Sequence, residues 1–156
     1  MILKKSRADY LYVGIQFLLF ILYGFEFLPR FRLPVSAVWL SACLSIIGLT
    51  VVVAALWKLN RNLTPFPTPK PGSQLVQTGL YKWVRHPIYT GIIISVFSVA
   101  TALGSPHKLL VSAFLLFLFY LKTQYEEKRL SQQYAGYAQY IKKTGRFFPK
   151  LRSTST

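Results

Sequence analysis

The sequence predicts an all-α, polytopic membrane protein with four transmembrane helices, or five if a further short segment inserts. An amphipathic cytoplasmic helix is predicted at the C-terminus. Two observations lead there: 53% of the 156 residues are hydrophobic, yet the chain carries Lys+Arg 19 against Asp+Glu 4. A nucleic-acid-binding protein would explain the charge but not the long uncharged runs, so we expect a membrane and no nucleic acid as partner.

Two spans are predicted in the N-terminal part of the chain. The apolar run Tyr10–Leu28 follows three basic residues, and it is longer than a signal-peptide core with no small-residue cleavage site after it. The run Val35–Trp57 has no formal charge and is long enough to cross a bilayer core of about 30 Å. Trp39 and Trp57 lie near its ends, as interfacial aromatic residues do.

A proline-rich segment interrupts this pattern. Four prolines occur between Pro65 and Pro71. Because proline fixes φ and lacks an N–H donor, this segment should be extended and stiff rather than helical. It is either a plain linker or a rigid flap over a site, and the sequence leaves both open.

Two further spans form a predicted helical hairpin. Ile88–Gly104 is an uncharged run, a tight turn follows at Gly104–Lys108, and Leu109–Tyr125 is the fourth candidate span. Lys122 lies close enough to the end of this span to extend its ammonium group to the membrane surface.

The distribution of basic residues predicts the orientation. With four spans, only Arg30, Arg32 and Lys108 fall on one side, and the other 16 of the 19 basic residues fall on the side of both termini. Positive residues are enriched in cytoplasmic loops, so both termini and the loop between spans two and three should be cytoplasmic.

We expect one domain, with two N-terminal spans in residues 1–57 and a catalytic-type core in residues 58–152. The core would contain the proline-rich loop, the hairpin and a C-terminal helix. Its apolar stripe is Leu130, Tyr134, Tyr137 and Ile141, and Thr144-Gly145 should end it. This helix could lie on the membrane surface or fold back over the region of residues 85–89.

The most informative stretch is residues 75–91, which places Arg85 and His86 just before an apolar helix. Pro87 suits the first helical position because its missing N–H has no intrahelical partner there. The free N–H groups of a helix start favour an anionic ligand group. A basic helix cap at the membrane surface is the simpler alternative.

Acidic residues are so few that each needs a reason. Glu126 and Glu127 end span four, and in a hairpin this end lies near Arg85 and His86. They could face a ligand ammonium group or ribose hydroxyls. Alternatively, they lie on a solvated helix face, with Glu126 paired to Lys122 and Arg129. His107, in the opposite turn, is expected to be structural.

Together these residues carry a family resemblance. The stretch Gly79–Gly91 with its Arg-His-Pro-x-Tyr-x-Gly motif resembles the isoprenylcysteine carboxyl methyltransferase and phospholipid methyltransferase family. The downstream Glu126-Glu127-x-x-Leu130, and Tyr137 and Tyr140 before Arg146 and Pro149, match the same family. The match covers roughly residues 60–150, and the first two spans carry no such signature.

This resemblance implies an integral membrane enzyme that uses S-adenosylmethionine and methylates a carboxyl, amine or thiol group of a lipid-like acceptor. The implied catalytic residues are His86 and Glu127, either of which could serve as a base for an amine acceptor, and Lys122, which stands where the family commonly has an acceptor-binding arginine. The implied cofactor contacts are Ser73, Gln74, Leu75, Val76, Tyr81, His86, Pro87, Tyr89, Glu126 and Glu127. No metal is expected, because Cys43 is the only cysteine and His86 has no second histidine on its side.

Two other function classes remain at the level of sequence. Steroid and sterol reductases, which bind NADPH, also have an Arg-His-Pro-x-Tyr motif, but they usually place an acid after the motif glycine, where this chain has Ile92. A non-enzymatic membrane adaptor is the other class, and it would not need the cluster of Arg85, His86, Tyr89 and the glutamate pair.

Overall fold

Five α-helices make up the protein in a computed structural model that describes residues 4–150. The helices are α1 (Arg7–Tyr23), α2 (Val35–Leu59), α3 (Pro87–Ala102), α4 (Pro106–Gln133) and α5 (Tyr137–Lys143), with short 3-10 turns at Asn60–Asn62 and Gly79–Lys82. Residues 4–150 form no β-strand, which confirms the all-α prediction. Arg152, which entered the charge count above, lies outside the described residues.

Two helices rather than four are long and apolar enough to cross a membrane by themselves, namely α2 and α4. Of the four predicted spans, two are therefore supported by helix length and composition within the described residues. α1 has 17 residues and α3 has 16. At 1.5 Å per residue, each is only about 25 Å long.

The early end of α1, at Tyr23 instead of Leu28, has a visible cause at the start of α4. Lys108 Nζ donates to the carbonyl oxygens of Tyr23 (2.6 Å) and Phe25 (3.0 Å). The imidazole of His107 lies 3.0 Å from the carbonyl oxygen of Leu22. These contacts satisfy the last carbonyl groups of α1, which have no partner within the helix.

α2 and α3 pack against each other at a very short distance. A Cβ atom on Gly91 would lie 2.6 Å from the Gly48 carbonyl oxygen and 2.9 Å from the Val52 amide nitrogen. The buried positions of α2 are small residues, Ser41, Ser45, Gly48 and Ala55. Small residues let two helix backbones approach closely, as is common in membrane helix pairs. The glycine of the Arg-His-Pro-x-Tyr-x-Gly motif is thus a packing residue.

The core lies between α4, α3 and α1. Val111, Leu115 and Phe119 of α4 are buried, and apolar residues of the two neighbouring helices pack on them. The helices are therefore arranged in the order α2, α3, α4, α1. The outward face of α2 carries large exposed apolar side chains, including Trp39 and Trp57.

The C-terminal part is not one continuous amphipathic helix. α4 continues to Gln133, residues 134–136 are not helical, and α5 follows. The segment after α5 folds back over the start of α3, where Arg85 N donates to the Gly145 carbonyl (2.9 Å) and His86 N to the Arg146 carbonyl (3.1 Å). The sequence left open whether the C-terminal part lies on the membrane surface or folds back over residues 85–89, and the structure shows that it folds back.

Candidate functional site

A cavity of about 300 Å³ opens at the end of the bundle where α3 begins. All five helices border it, and α2 does so only through its last residue, Leu59. The proline-rich segment covers it through Pro65, Phe66, Pro67 and Pro69. Most of the predicted site residues line this cavity: Ser73, Gln74, Leu75, Val76, Tyr81, His86, Tyr89, Lys122 and Glu126. Pro87 and Glu127 are not among the lining residues.

Glu127 is held by two arginines. Its carboxylate accepts from Arg85 Nε (2.8 Å) and from Arg146 Nη2 (2.8 Å), and His86 Nε2 lies 3.2 Å away. Arg85 also donates to the backbone carbonyl groups of Ile141 and Thr144. The hydrogen bond to Glu127 raises the pKa of the Arg146 guanidinium. Glu127 therefore ties α4, the start of α3 and the C-terminal segment together.

Glu126 has a different environment from its neighbour. Its Oε2 accepts from the Tyr89 hydroxyl at 3.1 Å, and His86 Nδ1 is 4.0 Å away. Within the described part of the chain, Glu126 forms no salt bridge with a lysine or arginine. The solvated pairing with Lys122 and Arg129 is therefore not observed, and Glu126 is the carboxylate that faces the cavity.

His86 lies at the start of α3 between the two glutamates. It occupies the N-cap position with φ −124° and ψ 58°, outside the helical conformation, as expected for a residue before proline. Its ring stacks on Tyr89 with a centroid distance of 5.7 Å and an interplanar angle of 12°. The ring is buried and lines the cavity. Among residues 4–150, no group of three His, Cys, Asp or Glu side chains is arranged so that it could hold a metal ion.

The sequence suggested that Lys122 would extend to the membrane surface, but the structure buries it instead. Its side chain is 0% exposed, and its Nζ donates to Gln16 Oε1 (2.6 Å) and to the Pro65 carbonyl oxygen (2.9 Å). The ammonium group lies 5.3 Å from the centre of the Tyr89 ring. α1 and the proline-rich segment, which are distant in sequence from α4, together hold it in place.

The loop that precedes Tyr81 is fixed to its surroundings by side-chain hydrogen bonds. Ser73 Oγ donates to the Lys70 carbonyl (2.6 Å) and lies 2.7 Å from the Tyr134 hydroxyl. The side chain of Asn62 pairs with both backbone groups of Gln74 (3.1 and 3.3 Å). These bonds hold residues 73–76 against the cavity.

The proline-rich segment is pinned by Asp9 at the start of α1. Asp9 Oδ1 accepts from the Thr68 backbone N–H at 2.8 Å, and Oδ2 accepts from the Ser6 N–H at 2.7 Å. Burial alone would raise the pKa of Asp9, but the hydrogen bonds from Ser6 and Thr68 outweigh it and lower that pKa. The carboxylate is therefore charged at neutral pH, and the segment lies over the cavity as a fixed cover.

Two tyrosines of α5 also line the cavity. Tyr140 donates to the Tyr81 carbonyl oxygen at 2.6 Å, and burial raises the pKa of Tyr140 to about 12. The hydroxyl of Tyr137 has no hydrogen-bond partner within the described residues. Both positions were part of the family resemblance but had received no role.

Sequence reasoning missed Gln16, Asp9, Tyr134 and Arg146 as parts of this site. A signal existed for two of them: Gln16 is a lone amide within an otherwise apolar run, and Asp9 is one of only four acids. The contacts of Arg146 depend on the fold-back of the C-terminal segment, which the sequence left undecided.

Comparison with known proteins gives two matches. Residues 36–136 match the family model described as phospholipid methyltransferase. The nickel-cobalt-cadmium resistance protein NccN of Alcaligenes xylosoxydans xylosoxydans is 29% identical over 123 residues. That alignment covers 76% of this chain and 57% of the relative, so the chain spans little more than half of the relative's length. The family match includes α3 and its motif and leaves Gln16 and α5 outside.

Proposed function

This chain belongs to the phospholipid methyltransferase family, and we propose that it is an integral membrane enzyme that transfers a methyl group from S-adenosylmethionine to a lipid-like acceptor. The observation that supports this best is the cavity in which the carboxylate of Glu126, which has no lysine or arginine partner within residues 4–150, and the buried ammonium group of Lys122 both contact Tyr89. S-Adenosylmethionine carries cationic groups and hydroxyls that a free carboxylate can bind.

The cofactor would be held by the residues around Glu126. We assign Ser73–Val76, Tyr81, His86 and Tyr89 to its contacts, because all of them line the cavity. Pro87 would act indirectly, by starting α3 in the register that presents His86 and Tyr89. Glu127 is the exception: its two arginine partners make it a positioning residue for Arg85 and His86 rather than a base or a cofactor contact.

The reaction itself needs alignment more than acid–base chemistry. If bound in the cavity, S-adenosylmethionine would supply a methyl group from its sulfonium sulfur to an oxygen, nitrogen or sulfur atom of the acceptor, and S-adenosylhomocysteine would be the other product. The cover of Pro65, Pro67 and Pro69 would exclude water. A carboxylate acceptor has no proton to lose. An amine acceptor would lose one to His86 Nδ1 or Glu126, the proton-accepting atoms on the cavity side.

We propose further that the domain spans the membrane four times, with both termini and the cavity on the cytoplasmic side. α2 and α4 are long enough to span alone, and α1 and α3 pack alongside them. A short helix within a bundle is tolerated because the bilayer thins locally at a modest cost. The division into residues 1–57 and 58–152 follows from this arrangement, although Gln16 reaches the cavity from the first part.

The site gives little support to an NADPH-dependent reductase or to a role in metal resistance. NADPH carries several phosphates that need cations. Of the lysines and arginines that line the cavity, Arg85 is engaged with Glu127, and only Lys122 forms no salt bridge within residues 4–150. The relative's name connects that protein with resistance to metals. The described residues here contain no group of three side chains arranged to hold a metal ion, so nothing in them favours extending that role to this chain.

Binding of S-adenosylmethionine and of NADPH to the purified protein in detergent would test the proposal. We expect calorimetry to show binding of S-adenosylmethionine and none of NADPH. Transfer of a labelled methyl group to a membrane lipid extract should follow. Binding of NADPH without S-adenosylmethionine would overturn the proposed function.

A further inference from the structure

Two large aromatic side chains are exposed where the C-terminal segment folds back on the start of α3. Trp83 is 59% exposed and Phe148 is 73% exposed. Gly145 N donates to the Trp83 carbonyl oxygen (3.2 Å), and a Cβ atom on Gly145 would clash with the Phe148 carbonyl oxygen. The backbones of both aromatic residues therefore lie next to Gly145, although the residues are distant in sequence.

Lysines surround these aromatic residues. The Lys82 Nζ lies 5.6 Å from the centre of the Trp83 ring. Lys150 follows Phe148 closely in sequence, and its Nζ donates to the Lys142 carbonyl oxygen (3.3 Å). All three lysines are exposed. We call these five residues the aromatic–basic patch. None of them lines the cavity, so the patch is separate from the candidate active site.

The acidic residues of the chain do not neutralise the patch. Asp9 is buried and accepts backbone N–H groups, Glu126 accepts from Tyr89, and Glu127 pairs with two arginines. Glu26, the fourth and last acid, pairs with basic residues at the other end of the bundle. Within residues 4–150, no lysine of the patch forms a salt bridge. The patch therefore presents positive charge only.

This combination of side chains fits the surface of a membrane. Aromatic rings lie at the level of the lipid head groups, and basic side chains near the surface are attracted to anionic lipids. A soluble anion would pair with the lysines but leave both aromatic rings in water. A second copy of the chain would bring positive charges against each other, because the same patch would face itself in a symmetric dimer.

We propose that the aromatic–basic patch binds an anionic phospholipid of the cytoplasmic leaflet. The lysines contact its phosphate-containing head group, and Trp83 and Phe148 pack against the upper part of its acyl chains. The proposal rests on the four-span arrangement and not on methyl transfer. Because the patch combines the start of α3 with the C-terminal segment, the lipid stabilises the fold-back that brings Arg146 to Glu127.

Quenching of Trp83 fluorescence by brominated lipid tests the proposal at the patch itself. The full-length protein with Trp39→Phe and Trp57→Phe retains Trp83 as its single tryptophan. Both replaced residues are largely exposed, so the fold should persist. The protein is reconstituted into phosphatidylcholine nanodiscs that contain increasing fractions of brominated phosphatidylglycerol or brominated phosphatidylcholine.

We expect brominated phosphatidylglycerol to quench Trp83 half-maximally at about one third, or less, of the mole fraction that brominated phosphatidylcholine requires. Phosphatidylglycerol has no carboxyl, amine or thiol group, so binding of an acceptor in the cavity does not contribute to this preference. A protein with Trp39 as its single tryptophan is the control, since Trp39 lies near the start of α2. It should show no preference between the two lipids.

Two double variants separate the patch from the general positive charge of the protein. Lys82→Gln/Lys150→Gln should lose most of the preference of Trp83 for phosphatidylglycerol. Lys4→Gln/Lys128→Gln removes two exposed lysines outside the patch and should retain it. Equal quenching of Trp83 by both lipids, an equal preference at Trp39, or the same loss in both double variants would overturn the proposal.

Binding of S-adenosylmethionine is measured in the same nanodiscs. If Trp83 prefers phosphatidylglycerol and the cofactor does not bind, the proposed function fails and the lipid site stands. If the cofactor binds and Trp83 shows no lipid preference, the lipid site fails, and an acidic segment of another protein becomes the better candidate for the patch.

Discussion

At the scale of single residues, the adjacent glutamates of α4 have different environments. The sequence predicted that both would lie near Arg85 and His86, and the structure brings all four side chains together. The sequence could not predict that Glu127 would pair with two arginines while Glu126 faces the cavity. That difference depends on Arg146, which arrives through the backbone pairing of residues 145 and 146 with the start of α3.

His86 provides a direct test at this scale. We expect His86→Ala to lower affinity for S-adenosylmethionine, or methyl transfer, about fivefold or more, the effect of losing one contact worth about 1 kcal/mol. The folded yield should remain largely intact, because Glu127 keeps both of its arginine partners. The measurement is calorimetry together with transfer of a labelled methyl group.

His107 is the matched control, since it is the other histidine and lies at the opposite end of the bundle, next to the Leu22 carbonyl. His107→Ala should leave activity per folded molecule unchanged, and chelators should have no effect on wild type. Unchanged activity in His86→Ala, or loss of wild-type activity with EDTA, would remove the proposed role of His86.

At the scale of elements, the proline-rich segment was predicted to be extended rather than helical. It contains no helix, but it bends at residues 65–68 and turns at residues 71–72. The choice between linker and flap could not be made from sequence, because the contact that pins the segment joins Thr68 to Asp9, 59 residues away. The location of Lys122 was predicted wrongly for a similar reason, namely contacts with residues distant in sequence. A lysine near the end of an isolated helix can reach the surface, but here Gln16 of α1 and Pro65 cover it.

Gly91 tests the packing of α3, the helix that presents His86 and Tyr89. Gly91→Ala should lower the thermal stability of the detergent-solubilised protein, because the added Cβ would lie 2.6 Å from the Gly48 carbonyl oxygen. Overpacking of this kind typically costs about 1–3 kcal/mol. The measurement is thermal unfolding followed by fluorescence.

Gly14→Ala is the control, since a Cβ there meets nothing within 4 Å. In the middle of a helix, alanine instead of glycine should raise stability by up to about 1 kcal/mol. Equal melting temperatures for Gly91→Ala and wild type would contradict the close approach of α2 and α3.

At the scale of the whole molecule, composition and the uncharged runs were enough to predict helices and most of their positions. The start of α3 at Pro87 was predicted, and its end at Ala102 lies close to the predicted Gly104. The end of α1 was not predictable, because it is set by the contacts of Lys108 and His107 with its last carbonyl groups. Hydropathy alone gives no information on such contacts.

Topology is testable by labelling single cysteines in a Cys43→Ala background. Positions Arg30 and Leu103 are exposed at one end of the bundle, and Lys82 and Lys150 are exposed at the other. We expect a membrane-impermeant maleimide to reach the first two only from outside the cell and the last two only from the cytoplasm. Labelling of all four from one side would rule out the four-span arrangement.

The central claim, that the cavity binds S-adenosylmethionine through Glu126, is tested most directly by calorimetry on two neighbouring variants. Glu126→Gln should weaken binding by about 1 kcal/mol or more while the melting temperature stays close to that of wild type, since Glu126 has no cationic partner to lose other than His86. Glu127→Gln should instead lower the melting temperature, because Arg85 and Arg146 would lose their shared carboxylate. Unchanged affinity in Glu126→Gln would contradict the account.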